Sequence, residues 1–144
     1  MSLFGSIDIA GTGVNAQQTW LDTIASNVAN ANDTAAVGQP IYQQQEVLVQ
    51  PAAAASPVPV PNATSYALGT GVQVDAIVTP NPKGQLAYQP TSTLANAQGY
   101  VNTPGISLAA QLGNMVSAQF GYQANVAVIN HAKAAYEAVL GIVG

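Results

Sequence analysis

The chain has 144 residues, a formal net charge of −4 and no cysteine. Only 6% of its residues are charged, whereas about a quarter are charged in an ordinary soluble protein. The composition excludes disulfides, thiolate metal sites and cysteine nucleophiles, and its two basic residues disfavour binding to nucleic acids or anionic membranes. So little charge also predicts that much of the surface is buried against other chains.

The first predicted element is a coiled-coil helix in region 1–36. Two mostly apolar sets of residues each recur every seven positions, which is an a/d heptad pattern. Gly11 and Gly13 weaken the helix locally, and because they have no side chain they permit the close approach of a neighbouring backbone. The tract around Asn32 and Asp33 is predicted to end the helix. The two heptad sets are Ile7, Val14, Leu21 and Val28, and Ala10, Gln17, Ile24 and Ala31.

Residues 37–103 are predicted to form a small β-rich middle region. Segments 41–50 and 71–79 are the predicted strands, because apolar residues are frequent in both and alternate imperfectly in the second. A proline- and alanine-rich loop at 51–61 separates them and is predicted to run extended, since its prolines cannot donate to a strand ladder. The prolines and glycine of 80–84 predict a turn.

The last predicted element is a second coiled-coil helix in region 104–144. Ser107 is its predicted N-cap and Gly141 its predicted stop. Apolar residues dominate positions that alternate spacings of four and three: Leu108, Leu112, Met115, Gln119, Tyr122, Val126, Ile129, Lys133, Tyr136 and Leu140. The predicted fold class is therefore mainly α with a small β region, in which the terminal helices pair as a coiled-coil hairpin. Two such helices carry more apolar surface than one pair can bury, so neighbouring chains are expected.

No catalytic, cofactor-binding or metal-binding residue is predicted. His131 has no carboxylate on its own helical face that could orient it for catalysis. The six carboxylates are scattered without the spacing of a metal or acid–base site. The glycine pattern of 11–16 lies inside a predicted helix instead of after a strand, which disfavours a dinucleotide-binding loop.

Three tracts carry a resemblance to a known family. Ile9-Ala-Gly-Thr-Gly13 together with Ser26-Asn-Val-Ala-Asn-Ala-Asn32 is similar to the N-terminal motif of the flagellar axial proteins. Asn114-Met-Val-Ser-Ala118 and Tyr122-Gln-Ala-Asn-Val126 resemble their C-terminal motif. Asn96-Ala-Gln-Gly-Tyr-Val-Asn-Thr-Pro-Gly105 resembles the segment before the last helix of the proximal rod members. The chain thus resembles the flagellar basal-body rod proteins.

The resemblance implies a non-enzymatic subunit of the periplasmic drive shaft that transmits torque from motor to hook. Its partners would be other rod proteins, copies of itself and the type III export apparatus, with no nucleic acid, membrane insertion, small-molecule substrate or cofactor. The N-terminus lacks a basic region, so export without a cleaved signal peptide is expected. Two alternatives are another short rod protein of the same family and a soluble helical-hairpin adaptor or chaperone.

Subunit contacts are predicted at heptad positions and at neutral amides, because amides hydrogen-bond with less desolvation cost than charges. The predicted subunit-interface residues are Ile7, Val14, Leu21, Ile24, Ser26, Asn27, Val28, Asn30, Asn32, Leu108, Leu112, Met115, Tyr122, Gln123, Asn125, Val126, Ile129, Tyr136 and Leu140.

Overall fold

The computed structural model describes residues 3–52, 69–80 and 84–143. Two terminal helices enclose a small β region along the chain, which confirms the predicted order of elements. The predictions for residues 53–61 of the loop and 81–83 of the turn lie outside the described residues. The elements are α1 (Leu3–Ala29), β1 (Glu46–Pro51), β2 (Val72–Val78), β3 (Gln85–Tyr88), β4 (Tyr100–Thr103) and α2 (Leu108–Val143).

The chain divides into two compact units. Unit 1 comprises Met1–Thr19, Leu48–Ala76 and Ala118–Gly144, and unit 2 comprises Trp20–Val47 and Ile77–Ser117. Each helix contributes residues to both units. The units therefore do not follow the predicted division into two helical regions and one β-rich region, and that division stays a prediction.

In unit 1 the two helices run antiparallel. The rings of Phe4 and Tyr136 meet edge to face, with centroids 5.7 Å apart, and Gln17 packs against Gly121 further along. β1 and β2 form a two-stranded sheet in which Gln50 Nε2 donates to Asp75 Oδ1 at 2.9 Å. These contacts are consistent with the predicted hairpin, whereas its coiled-coil geometry stays a proposal.

Unit 2 contains a β-hairpin that the sequence analysis missed. β3 and β4 pair antiparallel, with Ala87 opposite Val101, whose side chain is fully buried. Asn96 Oδ1 accepts hydrogen bonds from two backbone N–H groups of the connecting turn, and Gly99 there has a φ of 81°, which favours glycine. Ala35 and Asn102 exchange backbone hydrogen bonds on the other edge of β4. The asparagine and glycine at positions 96 and 99 are typical turn residues, and they were the signal in the sequence from which this hairpin could have been predicted.

The helix ends only partly follow the prediction. Ser107 caps α2, because its Oγ accepts a hydrogen bond from Ala110 N at 3.3 Å. Gly141 was wrong as a stop, since the helix continues to Val143 and one glycine weakens a helix without ending it. α1 ends at Ala29, where Asn30 Nδ2 donates to Ser26 O at 2.8 Å and satisfies a carbonyl of the last turn.

The buried face of each helix is narrower and less apolar than the heptads suggested. On α1, Ala10 and Ile24 are buried, whereas Ile7, Val14, Leu21 and Val28 are all only half-buried. The buried residues of α2 follow a different seven-residue column, Gln111, Ala118 and Ala132, in which Asn125 is half-buried. Apart from Ile24, the inner faces therefore hold mainly small and amide side chains. Among the described residues, no helix is apolar enough over a sufficient length to cross a membrane.

Candidate subunit interface

Asn27 on α1 is the centre of a buried polar cluster in unit 2. Its side chain is 1% exposed, and all four of its hydrogen-bonding positions are used. Oδ1 accepts from Gln45 N at 2.9 Å and from Tyr42 Oη at 3.0 Å. Nδ2 donates to Gln45 O at 2.8 Å and to Gln111 Oε1 at 3.3 Å. We call Asn27, Tyr42, Gln45 and Gln111, with Ser26, the Asn27 cluster.

The Asn27 side chain takes the place of a neighbouring strand. Its amide bonds both the N–H and the C=O of Gln45, as a paired strand would. The first strand was predicted over 41–50, whereas β1 begins only at Glu46. The reason is that the backbone N–H and C=O of Gln45 bond the Asn27 side chain of α1 and not a neighbouring strand.

Two further side chains complete the cluster. Because the single phenolic proton of Tyr42 is donated to Asn27 Oδ1, the Ser26 hydroxyl is the donor in its 3.0 Å bond to Tyr42 Oη. Gln111 is 2% exposed and brings α2 to the same amide. The cluster therefore ties α1, the segment before β1 and α2 together within unit 2. A cavity of about 310 Å³ borders it, lined in part by Trp20, Glu46 and Asn114.

A second kind of amide contact joins the helices in unit 1. The Asn125 amide lies against Gly13, where an added Cβ would be 2.6 Å from Asn125 Oδ1. The Gln17 amide lies against Gly121, where an added Cβ would be 2.7 Å from Gln17 Nε2. We call these two contacts the amide–glycine notches. Unlike Gly13, Gly11 has no such neighbour within 4 Å among the described residues.

Large apolar side chains of α2 lie on the surface instead of in the helix pair. In unit 1, Phe120 is 67% exposed, and in unit 2, Leu112 is 56% exposed. Apart from two tyrosines, the ionisable side chains of α2 are His131 and the exposed pair Lys133–Glu137, whose opposite charges lie 3.8 Å apart. The outer surface of α2 is thus apolar and almost uncharged, which is typical of a surface covered by a partner. The exposed large apolar residues of α2 are Leu108, Leu112, Val116, Phe120, Val128, Tyr136, Val139 and Leu140.

The predicted interface residues fall into three classes of exposure. Ile24 and Asn27 are buried within the chain. Asn32, Leu108, Leu112, Gln123, Tyr136 and Leu140 are exposed. The half-buried ones are Ile7, Val14, Leu21, Ser26, Val28, Asn30, Met115, Tyr122, Asn125, Val126 and Ile129. Since the hydrogen-bonding atoms of Asn27 are all engaged inside the chain, it has none to offer a neighbour; the interface assignments as a set stay predictions.

Sequence reasoning missed Val116, Phe120, Val128 and Val139 as exposed apolar residues, because they fall between the predicted heptad positions. The scarcity of charged residues around them was the sequence feature that could have indicated a covered apolar surface. Within the described ranges, no group of three or more histidine or acidic side chains is placed to hold a metal ion.

Two family models match the chain at its ends. The model of the flagella basal body rod protein matches residues 7–35, which include Asn27. The model of the flagellar basal body rod FlgEFG protein C-terminal region matches residues 97–142, which include most of α2. The chain segments that form the Asn27 cluster and the amide–glycine notches lie largely inside these matches.

Curated relatives match almost the whole chain. The flagellar basal-body rod protein FlgC of Escherichia coli O157:H7 is 37% identical over 134 residues, which cover 92% of both chains. FlgC of Yersinia enterocolitica is 39% identical over the same share of each chain. FlgC of Borreliella burgdorferi is 30% identical over 150 aligned positions, covering 99% of this chain and 98% of its own. The chain therefore belongs to the flagellar basal-body rod protein family.

Proposed function

We propose that this chain is a structural subunit of the bacterial flagellar basal-body rod, in its proximal part. The relatives that match over 92% of both chains are named as rod proteins, which supports the assignment. In this role the chain assembles with copies of itself and with other rod proteins into a shaft that transmits torque from motor to hook. It performs no catalysis.

The observation that carries the proposal is the uncharged apolar surface of α2. Side chains such as Phe120 and Leu112 gain roughly 25 cal/mol for each Å² of apolar surface that a neighbour covers. The exposed interface residues, with the additional apolar residues of α2, would form these contacts. A coiled-coil arrangement of the helices in the assembled shaft belongs to the same proposal.

Location and export follow from the assignment. The subunit would reside in the basal body and span part of the periplasm, after export through the flagellar type III apparatus. An export route that takes an unfolded chain suits a protein without cysteine, because no disulfide can form before assembly.

The test is complementation of a deletion strain with Phe120→Asp, using Phe120→Leu as the matched control. Aspartate adds a charge to a surface that a neighbour must desolvate, so rod yield and swimming radius should fall to background. Leucine keeps the apolar character, so it should restore both to near the wild-type level. The readouts are the yield of purified basal bodies and the swimming radius at equal export.

A folding control separates assembly from stability. Phe120 is 67% exposed, so Phe120→Asp should change the free energy of unfolding of the isolated chain by no more than about 0.5 kcal/mol. Normal rods built from correctly exported Phe120→Asp subunits would contradict the proposed role of this surface.

A further inference from the structure

The two amide–glycine notches of unit 1 are reciprocal. α1 carries a glycine four residues before its amide, at Gly13 and Gln17, and α2 carries the same spacing at Gly121 and Asn125. Because the helices run antiparallel, each glycine lies opposite the other helix's amide. The pair of contacts therefore has an approximate two-fold arrangement, which fits only one alignment of the helices.

The small buried residues of α2 do not by themselves define that alignment. They recur every seven positions, with alanine at Ala118 and Ala132. A slip of one heptad would bring Ala132 opposite Gly13, which small side chains tolerate. The slip would separate the rings of Phe4 and Tyr136, and it would bring Val128 opposite Gln17, where a branched side chain leaves no space for the amide. The clash in the slipped alignment therefore lies at the position that Gly121 holds in the observed one.

We propose that the amide–glycine notches set the register of α2 against α1 in unit 1. Gln17 and Asn125 are positioning residues in this device, and Gly13 and Gly121 provide the space that receives them. Register is thereby set by small and amide side chains, and the large apolar residues of α2 are left free for other contacts. The inference concerns the fold of the single chain and does not depend on the proposed function.

The hydrogen bonding of the Gln17 amide also supports a role in setting the register. Its Oε1 is buried and has no hydrogen-bond partner among the described residues. A buried acceptor without a partner destabilises the fold, so this oxygen does not stabilise the helix pair by hydrogen bonding. A polar group that does not stabilise a helix pair but specifies its alignment is a known role of single buried amides in coiled coils.

The first test compares glycines on the same helix. In Gly11→Ala and Gly113→Ala the added Cβ meets no neighbour within 4 Å among the described residues. Because alanine also favours helix, the melting temperature should rise by roughly 2–4 °C. Gly13→Ala and Gly121→Ala should lower it, because the amide is expelled from its notch. Adding Asn125→Ala to Gly13→Ala should recover part of the loss. Equal rises for all four glycines would overturn the proposal.

The second test reads register directly. The chain has no cysteine, so a short bis-thiol crosslinker reports only introduced pairs. Phe4→Cys with Tyr136→Cys traps the observed alignment. Gly11→Cys with Tyr136→Cys traps the slip of one heptad that brings Ala132 opposite Gly13, a displacement of about 10 Å along the helix.

Gln17→Ala removes the side chain for which the slipped alignment leaves no space, and Gln17→Met is the matched control that keeps the side-chain volume. We expect Gln17→Ala to raise the ratio of slipped to native crosslink several-fold, and Gln17→Met to leave that ratio near the wild-type value. Adding Asn125→Ala to Gln17→Ala should raise the ratio further. A purely structural role of Gln17 would change the melting temperature without changing this ratio. An unchanged ratio in Gln17→Ala, with helicity retained by circular dichroism, would overturn the inference.

Discussion

Asn27 in unit 2 and Gln17 in unit 1 are both amides on the inner face of α1, and their surroundings differ completely. Asn27 has four hydrogen bonds and is 1% exposed. Gln17 packs against a glycine, and its buried Oε1 has no hydrogen-bond partner among the described residues. Two amide side chains on the inner face of one helix thus differ: the one in unit 2 makes all its hydrogen bonds, and the one in unit 1 is held by steric contact with a glycine.

The difference separates two contributions that a buried polar group can make. A fully bonded amide stabilises, because removing it leaves its partners buried without a bond. An amide held by shape alone contributes through the alignments that it excludes. Substitutions at the two positions should therefore change different measured quantities: the free energy of unfolding at Asn27, and the distribution of helix registers at Gln17.

The largest effect is expected for Asn27→Leu. Leucine favours helix but leaves both the N–H and the C=O of Gln45 without their partner, so unfolding free energy should fall by on the order of 3 kcal/mol or more. Asn27→Ser keeps one hydroxyl and should lose less. Denaturant unfolding of both variants is the measurement. Equal stability of the leucine and serine variants would show that the Asn27 cluster does not stabilise unit 2.

A smaller effect is expected for Tyr42→Phe. It deletes the hydroxyl that connects Asn27 Oδ1 to Ser26 and leaves the ring in place, so the loss should be about 1 kcal/mol. Tyr88→Phe is the matched control, because Tyr88 is 65% exposed and should lose almost nothing. If the two variants unfold at the same denaturant concentration, the phenolic bond is not part of what makes the Asn27 cluster stable.

The smallest effect is expected for His131→Ala, which serves as a substitution outside both kinds of amide contact. His131 is exposed on α2 and contacts neither the Asn27 cluster nor the amide–glycine notches. Swimming radius and rod yield should stay near wild type. A variant that is incorporated into rods but no longer swims would reveal a role for this imidazole that neither amide contact accounts for.

The local features of this chain were predictable from sequence because they depend on neighbouring residues. Heptad spacing predicted both helices, the apolar residues of 41–50 predicted most of β1, and the imperfect alternation of 71–79 predicted β2. A serine before the last helix predicted the cap at Ser107. The three family tracts also lie in continuous stretches of sequence. The β3–β4 hairpin escaped because its strands have only four residues each and little alternation.

The sequence by itself thus determined the order of the elements, the family and the shortage of charge. On α1 one of the two predicted heptad sets, which contains Ala10, Gln17 and Ile24, lies on the inner face, whereas only the tertiary structure decided which column of α2 faces inward. Periodicity assigns apolar residues to the interior, but the inner faces here hold Gly13, Gln17 and Asn125, whose fit depends on the opposite helix. The partners of Asn27 could not be predicted from the sequence either, because its hydrogen bonds to Gln45 and Gln111 join residues 18 and 84 positions apart. Contacts between distant residues are set by the packing of the whole chain, and no local pattern encodes them.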